Sequence, residues 1–101
     1  MPTTAKALFR GAASTTTTTT LYTVPSATTT IVTDIVVTNT ASAVGNFTLS
    51  LNGTKLAEAV TVAANDSTVI QIKQALAATQ TITGGASATS INFHISGVEI
   101  S

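Results

Sequence analysis

The chain lacks cysteine and tryptophan and is poor in charge. Charged residues make up 8% of its 101 positions and the net charge at pH 7 is zero, whereas soluble domains usually carry about 25% charged residues. Without cysteine, the chain forms no disulfide and holds no thiolate metal or redox site. Its four basic side chains are too few to neutralise a nucleic-acid backbone, so we expect no nucleic-acid partner.

Long apolar runs are missing as well. No segment approaches the roughly 20 apolar residues that a membrane-spanning helix requires. Residues 1–11 contain no apolar run of the length found in signal peptides. We therefore expect no membrane partner and no export signal. The chain length is that of one domain with a modest core.

Patterns that would carry catalysis or bind a metal are also absent from the sequence. His94 is the single histidine, and the four acidic residues are scattered along the chain, so neither a metal site nor a carboxylate pair is indicated. There is no G-x-S-x-G elbow and no phosphate-binding glycine loop. We therefore expect a protein that is not an enzyme and that uses no cofactor.

Threonine and β-branched aliphatic residues dominate what remains. Threonine fills 23 of the 101 positions, and such residues favour strands over helices. Apolar alternation and turn signals predict seven to nine short strands in an all-β, antiparallel β-sandwich of jelly-roll type. Residues 1–14 are predicted to form an N-terminal arm, or alternatively an edge strand of the same domain, and residues 15–101 a single sandwich domain.

Residues 28–40 are predicted to form the central strand, because eleven of these thirteen residues are Thr, Ile or Val. A strand that is apolar on both faces is usually covered on both. The charge of Asp34 in such a strand requires an ionic or hydrogen-bonding partner. Regular alternation predicts one face with Ile31, Ile35 and Val37, and a second face with Val32, Asp34 and Val36.

Several shorter segments carry specific structural predictions. Residues 15–24, which begin with six threonines, are predicted to form one strand. Residues 52–53, Asn-Gly, predict a type I′ hairpin turn. Residues 74–78 predict a helical turn between the sheets, and the glycines at 84–85 are expected to end a strand. Gly97 predicts a bulge or a close approach of backbones.

The C-terminal strand supplies the last inward row, Ile91, Phe93 and Ile95, which places His94 on the opposite face. A surface or interface position is the preferred interpretation of this histidine. At a symmetry axis it would face its own copies, and acid would then loosen the assembly. The other candidate interface residues are Lys6, Leu8, Phe9, Arg10 and Tyr22.

Five segments together resemble a known group of proteins. They are LYTVP at 21–25, IVTDIVVTNT at 31–40, FTLSL at 47–51, ANDST at 64–68 and INFHISGVEI at 91–100. The chain from about Leu21 to its C-terminus is similar to small structural virion proteins of tailed bacteriophages. The resemblance implies a capsid decoration (cement) protein that bridges capsid subunits. It implies self-association, commonly as a homotrimer, and major capsid protein or other virion proteins as partners.

The same resemblance implies synthesis in the host cytoplasm and a final position on the virion surface, and it transfers no functional residue. Two alternatives stay open. The first is a tail, neck or fibre component. The second is a carbohydrate- or host-surface-binding module, since β-sandwiches carry such sites on their loops. Tyr22 is its single aromatic candidate for an exposed binding residue.

Overall fold

The computed structural model describes residues 3–101, which fold into eight strands and two antiparallel sheets. The strands are β1 (Thr3–Ala12), β2 (Thr20–Thr23), β3 (Thr29–Asn39), β4 (Gly45–Leu51), β5 (Thr54–Val62), β6 (Ser67–Leu76), β7 (Thr81–Ala86) and β8 (Ile91–Ile100). Sheet A has the order β1-β8-β3-β6 and sheet B the order β2-β7-β4-β5. This is the strand order of a jelly roll, and the predicted all-β sandwich is confirmed. The described residues include no helix of the length and apolarity needed to cross a membrane.

The core lies between the two sheets and is made of inward-facing side chains from both. Phe47 of β4 and Phe93 of β8 meet edge to face, with ring centroids 6.1 Å apart and an interplanar angle of 72°, a favourable arrangement for aromatic rings. Ile91 and Ile95 are buried beside Phe93. The predicted inward row of the last strand is therefore confirmed.

Strand β3 is central, as predicted, because β6 pairs with one of its edges and β8 with the other. The predicted division of its faces is wrong. The register shifts on both sides between Val32 and Asp34. Relative to β8, Thr33 is an extra residue, and it reverses the alternation of β3. Val32 therefore lies in the core with Ile35 and Val37, while Ile31 lies on the outer face.

The predicted β4–β5 hairpin is confirmed. Leu51 pairs with Thr54, and the two residues between them have φ angles of 49° at Asn52 and 82° at Gly53. Positive φ at both positions is what a type I′ turn requires, and asparagine and glycine tolerate it best.

The predicted strand over residues 15–24 is wrong for most of the threonine run, because β2 begins only at Thr20. Residues 15–18 form a bend and a turn. Hydrogen bonds from β7 hold the segment at its two ends. Ala86 N donates to Ser14 O at 2.8 Å, and Gly84 N donates to Thr19 O at 2.9 Å. The threonine run is thus a loop along the edge of β7.

Two further predictions about strand ends are also wrong. Residues 74–76 belong to strand β6, whose pairing with β3 continues to Leu76. Strand β7 continues through Gly84 and Gly85. A Cβ atom at Gly84 would lie 2.5 Å from Thr48 O, and one at Gly85 would lie 2.4 Å from Thr16 O. Glycine is present there because neighbouring backbone leaves no room for a side chain.

The described part of the N-terminal segment, residues 3–12, is strand β1 at the edge of sheet A, paired with β8. Its register shifts between Ala7 and Phe9, which turns Leu8 into the core. A Cβ atom at Gly97 would meet Ile31 O at 2.4 Å and Leu8 Cδ1 at 2.9 Å, so the close approach predicted at Gly97 is present. Pairing of this segment, as an arm, with a neighbouring subunit stays a prediction.

Candidate interaction surface

The outer face of sheet A, hereafter the open face, is built from alternate residues of four strands. Strand register places one row across it with Val69 on β6, Val36 on β3, His94 on β8 and Arg10 on β1. Val36 is partly buried, while Val69 keeps 58% of its surface exposed. This row is apolar at the β6 end and basic at the β1 end.

A second row of the open face is entirely apolar. It consists of Ala75, Ile31, Val98 and Ala5, which are opposite one another on β6, β3, β8 and β1. Ile31 and Val98 are partly buried, and the two alanines are exposed. Such a row offers a partner apolar area without desolvating any charge.

The row between these two carries the acidic charge of the open face. Asp34 is exposed and lies between Gln71 on β6 and Ser96 on β8. Sequence analysis placed Asp34 on a face with Val32, and the bulge at Thr33 corrects that placement. Because Asp34 reaches water, it does not need the internal partner that a buried carboxylate requires.

The structure separates the six predicted interface residues into three pairs. Arg10 and His94 are exposed neighbours on the open face, opposite each other in the β1–β8 pairing. The side chain of Leu8 is buried in the chain's own core, and Phe9 packs against the same core. A role of these four residues in an interface stays a prediction.

The remaining two, Lys6 and Tyr22, belong to a polar cluster that ties the two sheets together near the ends of β1, β3 and β8. The Tyr22 hydroxyl shares a hydrogen bond of 2.9 Å with Thr30 Oγ1 and donates a short hydrogen bond to Glu99 Oε2. Lys6 Nζ donates to the same carboxylate oxygen at 3.4 Å. Burial, then the hydrogen bond to Glu99, raises the pKa of Tyr22 above its ordinary value of 10.0.

This cluster has the bonding of a structural clasp. Each polar group already has a partner within the chain: a tyrosine hydroxyl, a threonine hydroxyl, a carboxylate and an ammonium. No group of three or more metal-ligating side chains occurs among residues 3–101. The open face offers apolar rows and a few charges, which is the chemistry of protein contact.

The sequence-based prediction included Arg10 and His94 of this surface and misplaced Ile31. Ile31 was grouped with Ile35 and Val37 because strict alternation was assumed through Thr33, where the structure has a bulge. Val98 and Ile100 were read as out of phase with the inward row, and they do lie on the open face. The change of phase at Gly97 was the one signal for this surface in the sequence.

Comparison with known proteins adds little to this description. No protein-family model matches the chain, and no curated protein matches it. Among solved structures, the chain is similar to CBM35 from Paenibacillus barcinonensis, with a TM-score of 0.42 and 11% sequence identity. The alignment covers 100% of this chain and 90% of that one.

Proposed function

We propose that the chain is a structural virion protein of a tailed bacteriophage, a capsid decoration protein that binds neighbouring subunits of the shell. The observation that carries the proposal is the open face, where one apolar row and the apolar half of another flank a row with a single acidic residue. A stable protein contact buries roughly 800 Å² on each partner. A four-stranded sheet, with strands about 4.8 Å apart and about 3.3 Å of rise per residue, provides a face of that order.

The low charge of the chain supports the same proposal. Copies with zero net charge repel one another weakly, which permits dense coverage of a shell. The jelly-roll order of strands also leaves β1 and β6 at the two edges of sheet A, so neighbouring molecules have access to the open face from both sides. The homotrimer implied by the sequence resemblance is compatible with this arrangement.

Electron microscopy with labelled antibody tests the proposal on particles of the phage that encodes the chain. Label spread over the head supports a decoration protein. Label confined to the tail or neck supports the alternative component, and particles free of the protein contradict both.

Co-sedimentation with empty heads tests the surface itself. We expect the double variant Val36→Glu/Val98→Glu to lose binding at least tenfold, because it places charge among the apolar side chains of both rows. Thr61→Glu, at an exposed position of β5 on sheet B, is the matched control and should bind as the wild type does. Equal binding by all three proteins would exclude the open face.

A further inference from the structure

A cleft lies on the side of the sandwich where β5 and β6, the edge strands of the two sheets, face each other. It has a volume of about 390 Å³, within the range of small-ligand sites. Its walls come from the β4–β5 hairpin, residues 51–56, and from residues 74–80 at the end of β6. The cleft and the open face share one residue, Ala75, and the other residues that line the cleft lie outside the open face.

Side-chain amides are the main polar groups of this cleft. They belong to Asn52, Gln74 and Gln80. Gln80 Oε1 accepts a hydrogen bond from Ala77 N at 2.8 Å, which fixes the side chain and leaves its NH₂ group as a donor. The side chains of Asn52 and Gln74 make no hydrogen bond to any other residue in the range 3–101.

Turn geometry holds two of these amides in place, and the third, Gln74, belongs to strand β6. Asn52 occupies the first central position of the type I′ turn, and its backbone N–H donates to Thr81 O at 2.7 Å. Gln80 N donates to Ala77 O at 3.1 Å and closes the turn from the opposite wall. Two short turns, each closed by backbone hydrogen bonds, thus present donors and acceptors toward one space.

The balanced charge and the apolar lining of the cleft indicate which class of ligand it can bind. Lys55 is its single cationic lining residue, and its Nζ donates to Glu58 Oε1 at 3.1 Å, so the local charge is balanced. Leu51, Leu56 and Leu76 supply the apolar lining. An amide offers a donor and an acceptor side by side, as a pair of neighbouring hydroxyl groups does.

We propose that this cleft binds a neutral sugar residue, with the amides on its hydroxyl groups and the leucines against its C–H surface. The site lacks an aromatic platform, so one ring is held weakly, with a Kd in the millimolar range. The proposal is independent of the decoration function, because the amides and leucines that it uses lie outside the open face.

Heteronuclear NMR titration of the full chain tests it with methyl glucoside, methyl galactoside, methyl mannoside and N-acetylglucosamine, each up to about 100 mM. We expect at least one sugar to shift the amide signals of residues 51–56 and 74–80. Absence of shifts with all four sugars, or shifts elsewhere on the molecule, would overturn the proposal. Tighter binding of methyl glucuronide than of every neutral sugar would overturn the assignment to neutral sugars.

Three variants probe the individual amides without disturbing the turns. Asn52→Gly keeps positive φ, and Gln80→Glu keeps the acceptor for Ala77 N while removing the NH₂ donor. Each of these, and Gln74→Ala, should weaken sugar binding by about three- to tenfold. Gln71→Ala is the control, because Gln71 lies on the same strand as Gln74 but on the open face. It should leave sugar binding unchanged. Unchanged affinity in all three cleft variants would contradict the proposed site.

Discussion

The outer faces of the two sheets differ in what covers them. On sheet B, Thr48 and Ser50 keep only 6% and 5% of their surface exposed, because the chain folds over its own sheet. Ala59, at a bulge of β5, donates its N–H to Thr48 Oγ1 at 3.1 Å, and the loop at Thr16 lies over Gly85. On sheet A, the open face keeps its valines and isoleucines partly exposed.

The difference explains the choice of residues on each face. A face covered by its own backbone takes Gly, Ser and Thr, which are small or bond locally to that backbone. The open face retains larger apolar side chains. This contrast supports the proposal that the open face is a surface for assembly.

The largest expected loss of stability comes from displacing the loop that covers the outer face of sheet B. Gly85→Ala would place a Cβ atom 2.4 Å from Thr16 O and 2.7 Å from Ser14 O. We expect the free energy of unfolding to fall by about 3 kcal/mol, since the backbone of the loop must move. Gly11→Ala is the control, because its Cβ would meet Phe9 at an ordinary 3.6 Å. Chemical denaturation measures both, and an equal effect would show that the loop is not a tight cover.

A smaller effect concerns the cluster that joins the sheets. Tyr22→Phe removes the hydrogen bonds to Thr30 and Glu99 and should lower the free energy of unfolding by about 1.5 kcal/mol. Denaturation at neutral pH measures the loss. A stability equal to that of the wild type would mean that the cluster is not a clasp.

The same cluster makes a prediction about pH. The folded pKa of Tyr22 is raised above 10.0, so the stabilisation is complete below pH 10 and is lost as pH rises through the folded pKa. Because Tyr22 is the single tyrosine and tryptophan is absent, tyrosinate absorbance reports this one group. A midpoint at or below pH 10 in the folded protein would contradict the assignment.

A still smaller loss of stability is expected from substitution in the β4–β5 hairpin of sheet B. Asn52→Ala places an alanine at a φ of 49°, and the free energy of unfolding should fall by about 1 kcal/mol. Asn52→Gly accepts the same backbone angle and should stay within about 0.5 kcal/mol of the wild type. Thermal unfolding of the two variants compares them directly. The reverse order would mean that the turn is not of type I′.

The smallest effect on stability is expected on the open face. Val98→Thr keeps the size and β-branching of a partly buried side chain, so the free energy of unfolding should change by about 0.5 kcal/mol or less. Association between copies should weaken, because a hydroxyl replaces apolar surface in the contact. A large loss of stability without a change in association would show that Val98 serves the chain's own fold.

Sequence reasoning predicted the parts of the fold that depend on local rules. The β3 centre, the Asn-Gly turn and the inward row of β8 follow from β-propensity, positive φ and period-two alternation. It failed where neighbouring backbone decides the structure. The glycines of β7 look like strand breakers, yet the strand continues through them. They are glycines because Thr48 O and Thr16 O occupy the space that a side chain would need.

The candidate surface shows the same division between local and non-local information. The outward position of His94 follows from the alternation of β8. The outward position of Ile31 depends on the bulge at Thr33. There the register of β3 shifts in its pairing with β6 and also in its pairing with β8. A bulge is set by the pairing of three strands, so β3 alone carries no signal for it.

Molar mass in solution tests most directly the central claim, that copies of the chain associate through the open face. Light scattering during size-exclusion chromatography should give a multiple of the 10.1 kDa chain mass for the wild type. Val36→Lys/Val98→Lys should give a folded protein of 10.1 kDa. A wild type that stays at 10.1 kDa at every concentration, or an oligomer that the double variant leaves intact, would contradict the account.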